Sequence, residues 1–538
     1  MPRVAAAQLA AGTDVEANLE TCLRLIDAAA EAGAELLVLP EFCNHLSWYA
    51  DRAHAHRMAC RSGDFFLTAI AERAGRHRMF VKIGVTLARS DGRTTGTGLL
   101  FGPDGRLLGE SDKQILMGAE NDYLDPGLTD SPVIATPVGR LGMYACMEGV
   151  ICEVPRSLAV RGAQVLLNSL NSFATDEASL HIPVRAAENK VWVVAANKVG
   201  PLLPAAQLPE IAARLGMSPN RLHGAGESRI VAPDGTVVAK APATGEAITV
   251  TDIDIARADD KRRPDGTDVL AARRPVLYRP LAERARRRAA AGAESVPVAV
   301  VAPDAGLVKE AVATGAQLIV LPELAPVPIA DIVAALQGSA AHAVLTVRDG
   351  ERHTGVLVTA AGVAGSQDQL HRTERHPWLR ELGTGLTVFA LPWGRLAVVV
   401  GDDALFPETF RLAALADADV AAVCCSPAEP WETALGLPER AAENRLNLVV
   451  AGLDATGGLT GAVHALSPDF TLWTAWQGPF TGVISHPIST GVPPGATCVH
   501  ADVRPSQAMN RAVSRGTDLV ADRPRAAGET LTGELEHR

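Results

Sequence analysis

The chain has 538 residues, 47% of them hydrophobic, 21% charged and 4% aromatic, the make-up of two or three globular domains and not of a disordered, fibrous or disulfide-stapled miniature protein. With 50 basic against 61 acidic residues the formal charge is −11, which argues against nucleic acid as a partner, because such affinity comes from neutralising phosphates. The eight cysteines (22, 43, 60, 146, 152, 424, 425 and 498) show neither disulfide-dense nor CxxC spacing, so a reducing cytoplasm is the expected location; no uninterrupted apolar stretch is long enough for a membrane span or a secretory signal.

In chain order, RVAAAQLA (3–10) reads as a strand and NLETCLRLIDAAAEAGA (18–34) as a helix ended by Gly33, its apolar residues recurring at 22, 23, 25, 26 and 29. ELLVLP (35–40) is a buried strand. FVKIGVTLA (80–88) and the hairpin TGLLFGPDGRLLGES (97–111) follow, then LGMYAC (141–146), QVLLNS (164–169), a helix around 182–190, VWVVAANK (191–198) and a second strand–PDG–strand hairpin, RIVAPDGTVVAKA (229–241). Helices alternate with the early strands and the late strands form a meander, which predicts a layered α/β domain.

The same pattern then recurs. AGAELLVLPE (32–41) is answered by TGAQLIVLPE (314–323), GRLGMYAC (139–146) by GRLAVVVG (394–401), PVRAAENK (183–190) by PERAAENR (438–445), and GTDVLA (266–271) by GTDLVA (516–521). Four matches in one order predict two tandem copies of one domain. The expected limits are 1–272 for the first copy, 273–295 for a basic, solvated linker helix, 296–522 for the second copy and 523–538 for a flexible tail.

Chemistry concentrates in the first copy. Glu41 directly follows a buried strand, where a carboxylate is costly unless it is used. Lys113 follows the first PDG hairpin, Glu120 lies seven residues later, and Cys146 sits at a strand-to-turn elbow of the kind that presents a nucleophile. His54 and His56 have the spacing of a metal pair but lack a third ligand, and no GxSxG supports a serine hydrolase.

LPE with Glu41, the lysine of SDK at Lys113, and CMEGVICEVPR from Cys146 to Arg156 together resemble the nitrilase superfamily of carbon–nitrogen hydrolases. The resemblance implies a four-layer αββα sandwich, here in two tandem copies packed as an intramolecular pseudo-dimer. It implies Glu41 as general base, Cys146 as nucleophile forming a thioester, Lys113 with the backbone N–H of Met147 as oxyanion stabiliser, and Glu120 as a second glutamate. Glu153 and Arg156 are expected to pair with each other at the elbow. Glu148, Asn44, His45, Trp48, Tyr49, Asn168, Asn171 and Ser172 are expected to line the substrate pocket. The expected function is hydrolysis of a small amide or carbamoyl compound, with no cofactor, no metal, no membrane and a possible homo-oligomer of the whole chain. The alternatives are a nitrilase, for which the spacing of Glu148 and Glu120 speaks, and a non-catalytic scaffold on the same fold. In the second copy Glu323 persists, but Gly401 falls in the register of Cys146 and Lys309 is the last lysine, leaving His371 or Arg372 near the place of Lys113; that copy is expected to be catalytically dead.

Overall fold

Asp14 caps the first helix, Val15–Glu31, by accepting from the N–H groups of Glu16 and Ala17, and Cys22, Leu25, Ile26 and Ala29 form its buried stripe. The computed structural model describes residues 1–285, 288, 290–468, 474 and 480–533. Strands Arg3–Gln8, Leu36–Val38 and Phe80–Ala88 pair in parallel, and Thr94–Phe101 and Leu107–Asp112 extend them antiparallel. A second sheet runs, in spatial order, Val237–Lys240, Arg229–Val231, Trp192–Ala196, Val165–Ser169, Gly139–Ala145 and Val133–Thr136. The late strands are not one meander: after the 229–240 hairpin the chain crosses sheets, and Ala247–Asp252 pairs antiparallel with Arg3–Gln8, Arg3 meeting Asp252 at 2.9 Å.

The alternation of side chains along each strand sorts them into layers. Val4, Val38, Leu141, Leu167 and Val194 fill the space between the sheets. The opposite face of the first sheet packs on Val15–Glu31 and Phe65–His77, and that of the second on Glu153–Val160 and Ile182–Asn189. The result is an αββα sandwich.

The second half repeats the connectivity strand for strand. One sheet runs Gly362–Asp368, Arg352–Thr359, His342–Asp349, Leu318–Val320, Val296–Val301, Cys498–Val503, and the other Val388–Leu391, Gly394–Val400, Val420–Cys424, Asn447–Leu453, Leu459–Ala465, Ile488–Gly491. Helices Pro407–Leu415 and Leu437–Asn444 cover the latter sheet and face Glu153–Val160 and Ile182–Asn189 of the first half.

That helix-to-helix seam is held by exchanged ion pairs. Arg156 reaches Glu408 at 3.0 Å, while Arg411 reaches Glu153 at 2.7 Å; Arg185 reaches Glu443 at 2.8 Å, while Arg440 binds Glu188. Glu153 and Arg156 therefore do not pair with each other as expected. Each pairs with the other's counterpart, counterparts lying 255 positions apart (408 − 153 = 411 − 156), the reciprocity of a two-fold interface written into one chain. Burial alone would discharge Glu408, yet Arg156 and Arg273 hold it well below the usual carboxylate range.

Two segments expected to be loose are structural. Among its described residues the 273–295 stretch contains no helix of the predicted kind; it makes turns at Pro275–Leu277 and Arg279–Leu281, buries Tyr278 and Leu281, and lies against Leu412 of the second half. Arg286 and Arg287 of its basic cluster lie outside the described residues. In the tail, Arg525–Thr532 is a helix that packs on Glu153–Val160, and a Cβ at Gly528 would come within 2.5 Å of the Leu281 carbonyl oxygen. Each copy thus lays its terminal arm on the other, because the apolar stripe of that arm has no other surface to cover it. Among the described residues no helix is long and apolar enough to cross a membrane.

Removing one member of a buried exchange leaves an uncompensated charge. Arg411→Leu should destabilise the chain by about 3–5 kcal/mol, and Glu153→Leu/Arg411→Leu should recover most of that loss. Urea unfolding monitored by fluorescence checks this; equal losses in the single and double variants would contradict it.

Candidate active site

Three strand ends converge at one edge of the first sandwich. Glu41 follows Leu36–Val38 through Pro40, and the chain then turns at Phe42 with φ of 50°. Gly84 on the neighbouring strand makes this turn possible, since a Cβ there would lie 2.7 Å from Glu41 Cα and 2.8 Å from the Pro40 carbonyl oxygen. Lys113 ends the strand Leu107–Asp112, its N–H donating to Gly96 O at 2.8 Å. Its ammonium lies 2.9 Å from Glu41 Oε1 and 2.9 Å from Glu120 Oε2. It donates a hydrogen bond to Glu120 Oε1, whereas the Glu41 contact is a misaligned ion pair that leaves both Glu41 oxygens without a hydrogen-bond partner. Glu120 also accepts from Met117 N–H at 2.9 Å, which fixes it as the holder of Lys113.

Cys146 ends the strand Gly139–Ala145 in the left-handed region, φ 47°, and its N–H donates to Asn168 Oδ1 at 3.1 Å. Glu148 ties the elbow down, accepting from Ala145 N–H at 2.7 Å and from Gln114 N–H, beside Lys113, at 2.8 Å. The thiol faces Glu177, with Sγ 3.8 Å from Oε1.

Burial dominates the electrostatics. It lifts Glu41 to about 7 against the opposing pull of Lys113, and pushes the Cys146 thiol well up, again against Lys113. Lys113 loses solvation too, but Glu120 and Glu41 outweigh that and hold it protonated above its usual value. Burial raises Glu177 to about 7 as well, its Oε2 having no hydrogen-bond partner. The cluster holds a proton-accepting carboxylate, a fixed cation and a thiol at one floor.

Above that floor opens a cleft of about 100 Å³, its walls mostly apolar. Trp48, Phe173 and Leu203 come from the first half, and Phe480, Ile484 and Val513 from the second. Asp176 anchors the intruding segment, accepting from the N–H groups of Ile484 at 2.8 Å, Ser485 at 3.0 Å and His486 at 3.2 Å. Phe173 and Phe480 meet edge to face at 5.2 Å.

Of the residues the sequence places around a substrate, Trp48 and Asn171 line this cleft, and the others do not. Asn44 binds Thr86 N–H and Met58 O, His45 binds Leu46 O, and Tyr49 binds the Thr86 hydroxyl; all three turn inward to satisfy buried backbone or side-chain groups. Met147 is packed in the core, Ser172 is held through its backbone by Asn197, and Asn168 and Glu148 support the elbow from behind. Sequence reasoning missed Glu177 and the whole second-half wall; only the offset of 250 that aligns Val513 with Arg263 hinted that this loop recurs. It also missed Lys82 and Lys198, both buried, the former bonded to Ser169 and the latter donating to Phe42 O at 2.8 Å. His54 and His56 lie on the helix Arg52–Met58.

The second half repeats the frame with other side chains. Glu323 stands at the place of Glu41, and Gly401 (φ 54°) at that of Cys146. Gln369, whose N–H donates to His353 O as Lys113 does to Gly96 O, replaces the lysine. Neither His371 nor Arg372 takes that place, His371 being engaged by Asp403 and Tyr278. Arg263 of the first half enters this pocket and binds Glu432 and Asp402.

Residues 3–263 match the Carbon-nitrogen hydrolase family. It is 27% identical over 261 residues to a nitrilase of Pyrococcus abyssi (strain GE5 / Orsay), 48% of this chain and 92% of that protein. It is 26% identical over 294 residues to N-carbamoylputrescine amidase of Solanum tuberosum, 52% of this chain and 94% of that protein. Among solved structures, an amidase from Nesterenkonia sp. is 23% identical, with 48% of this chain and 93% of that chain covered and a TM-score of 0.40.

Because backbone atoms cannot yield as a side-chain tip does, Gly84→Ala should displace the Glu41 turn. The expected outcome is about 1–3 kcal/mol of destabilisation, measured by thermal unfolding; an unchanged melting temperature would show that the turn tolerates a methyl group.

Proposed function

We propose that the chain hydrolyses the carbon–nitrogen bond of a small amide with an apolar acyl group, through a thioester at Cys146. The observation that carries this reading is the Glu41–Lys113–Glu120 cluster acting on the Cys146 thiol, with Cys146 and Glu120 lining one cleft. Glu41 takes the thiol proton as sulfur attacks the carbonyl carbon. Lys113 and the Met147 N–H stabilise the oxyanion; its collapse breaks the C–N bond as Glu41 returns the proton to the departing nitrogen. Water, deprotonated by Glu41, then cleaves the thioester and releases the acid.

The apolar preference rests on the lining: among its described residues the one charged side chain is Glu120, already paired with Lys113. An amine-tailed carbamoyl compound, as the name of the potato relative implies for that protein, would find no free carboxylate among the described lining residues. The spacing of Glu148 that spoke for nitriles loses its weight, because that carboxylate is consumed by backbone N–H groups. A scaffold role leaves the buried Glu41–Lys113–Glu120 cluster unexplained. We infer further that the second half is catalytically inert, since Gly401 carries no thiol, and that it serves as the built-in partner whose loops complete the cleft. Eight unpaired cysteines suit a reducing compartment.

Cys146→Ala should lower ammonia release from amides by at least about a thousandfold with the fold intact; substantial residual turnover would sink the mechanism. In wild type, each added acyl methylene, worth about 0.8 kcal/mol, should raise kcat/KM about fourfold until the cleft is full. A preference for amine- or carboxylate-bearing amides, or for nitriles, would overturn the substrate assignment alone. Since the base must be ionised, kcat/KM should rise with pH through the Glu41 value of about 7. A profile flat from pH 5 to 9 would remove Glu41 from that role.

A further inference from the structure

We propose that the altered site of the second half binds a divalent first-row transition metal ion through Glu323, His353 and His376. These three buried residues each offer a ligand atom within 4.8 Å of the others. They come from separate elements: Glu323 from the turn after Leu318–Val320, His353 from the strand Arg352–Thr359, and His376 from the following loop. In register they stand where the first half has Glu41, Gly96 and Glu120; His376 lies seven residues past Gln369, as Glu120 does past Lys113.

The missing nucleophile makes the site possible. A Cβ at Gly401 would lie 2.6 Å from Glu323 Oε1 and 2.9 Å from His353 Cε1, so a cysteine here would collide with the very groups that now converge.

Two buried donor atoms have no partner: Glu323 Oε2 and His353 Nε2. The lone pair of the latter is set by its neighbours. Gln369 Nε2 donates to His371 O at 2.7 Å, which turns Gln369 Oε1 toward His353 Nδ1, also at 2.7 Å. An amide oxygen only accepts, so Nδ1 carries the proton and Nε2 is bare. This is the support that a metal-binding imidazole needs. His376 Nε2 already lies 3.2 Å from Glu323 Oε1, and Trp378 closes the histidines off with ring separations of 5.8 and 5.0 Å. One ligand atom from each of the three residues lies within 4.8 Å of the other two, close to the spacing that an ion at about 2.1 Å requires.

Two imidazoles and one carboxylate suit Zn²⁺, Co²⁺ or Fe²⁺ and not Ca²⁺ or Mg²⁺, which prefer oxygen. Arg375, 2.6 Å from Glu323 Oε1 and also bound to Asp402, is the competing cation. It leaves Oε2 to the metal and lowers the affinity.

The full-length chain, stripped with chelator and carrying Cys498→Ser to remove the surface Cys498–His500 pair, is titrated with Zn²⁺ by calorimetry and with Co²⁺ by visible absorption. One equivalent per chain is expected, with d–d bands of an imidazole-ligated ion. His353→Gln/His376→Gln should abolish binding, Gln369→Leu should weaken it about 10–100-fold, Arg375→Ala should tighten it, and Cys146→Ala should leave it unchanged. Absence of saturable binding in the otherwise unaltered chain overturns the proposal, whether or not the variants fold. So does binding that survives in the folded double variant.

Discussion

The exchange of buried arginines and glutamates between the two halves is the constraint on which the rest of the molecule depends. Arg156 and Arg411 each leave their own sandwich to find a carboxylate in the other, as do Arg185 and Arg440. Arg185 and Arg440 also pair within their own helices, with Glu188 and Glu443, but Arg156 and Arg411 find their carboxylate across the seam, and an unpaired guanidinium in such a setting costs several kcal/mol. The pairs therefore fix both the docking of the halves and their register. Covalent linkage makes that docking intramolecular, so it does not depend on protein concentration.

Once the seam is fixed, each half reaches into the other's pocket. The reach is symmetric in backbone and asymmetric in chemistry. At corresponding positions the first pocket receives Val513 and the second receives Arg263, which binds Glu432; the counterpart of Glu432, Glu177, faces the Cys146 thiol instead of an arginine. One pocket is thus apolar, open and furnished with a thiol, and the other is filled with charge. The divergence lies in a handful of side chains on an unchanged frame, which is why strand order and the left-handed turns at 146 and 401 persist in both.

Asp176 links fold to site. Its carboxylate gathers three successive N–H groups of the second half and contacts His181, which in turn binds Glu439 across the seam. The wall that carries Ile484 is therefore continuous with the ion-pair interface, and the shape of the cleft is coupled to the docking of the halves.

The sequence by itself determined the strands, the helices that cover them and the repeat, and it singled out Glu41, Lys113, Glu120 and Cys146. All of these are local: a period of two or 3.6 residues, a turn motif, or a polar residue at a strand end. It misplaced Asn44, His45 and Tyr49, because nearness to Glu41 along the chain does not say which way a side chain turns, and buried groups at Thr86, Met58 and Leu46 claimed them. It also made a linker and a tail of two arms whose apolar residues are too few to show a period and are buried only against the opposite half. Only the tertiary structure decided that Glu153 answers Arg411 instead of Arg156, that Val513 and Phe480 wall a site more than 300 residues away, and that Gln369 holds the place of Lys113. Such contacts are set by how two finished sandwiches fit together, a matter of shape and charge across a surface for which linear order carries no signal.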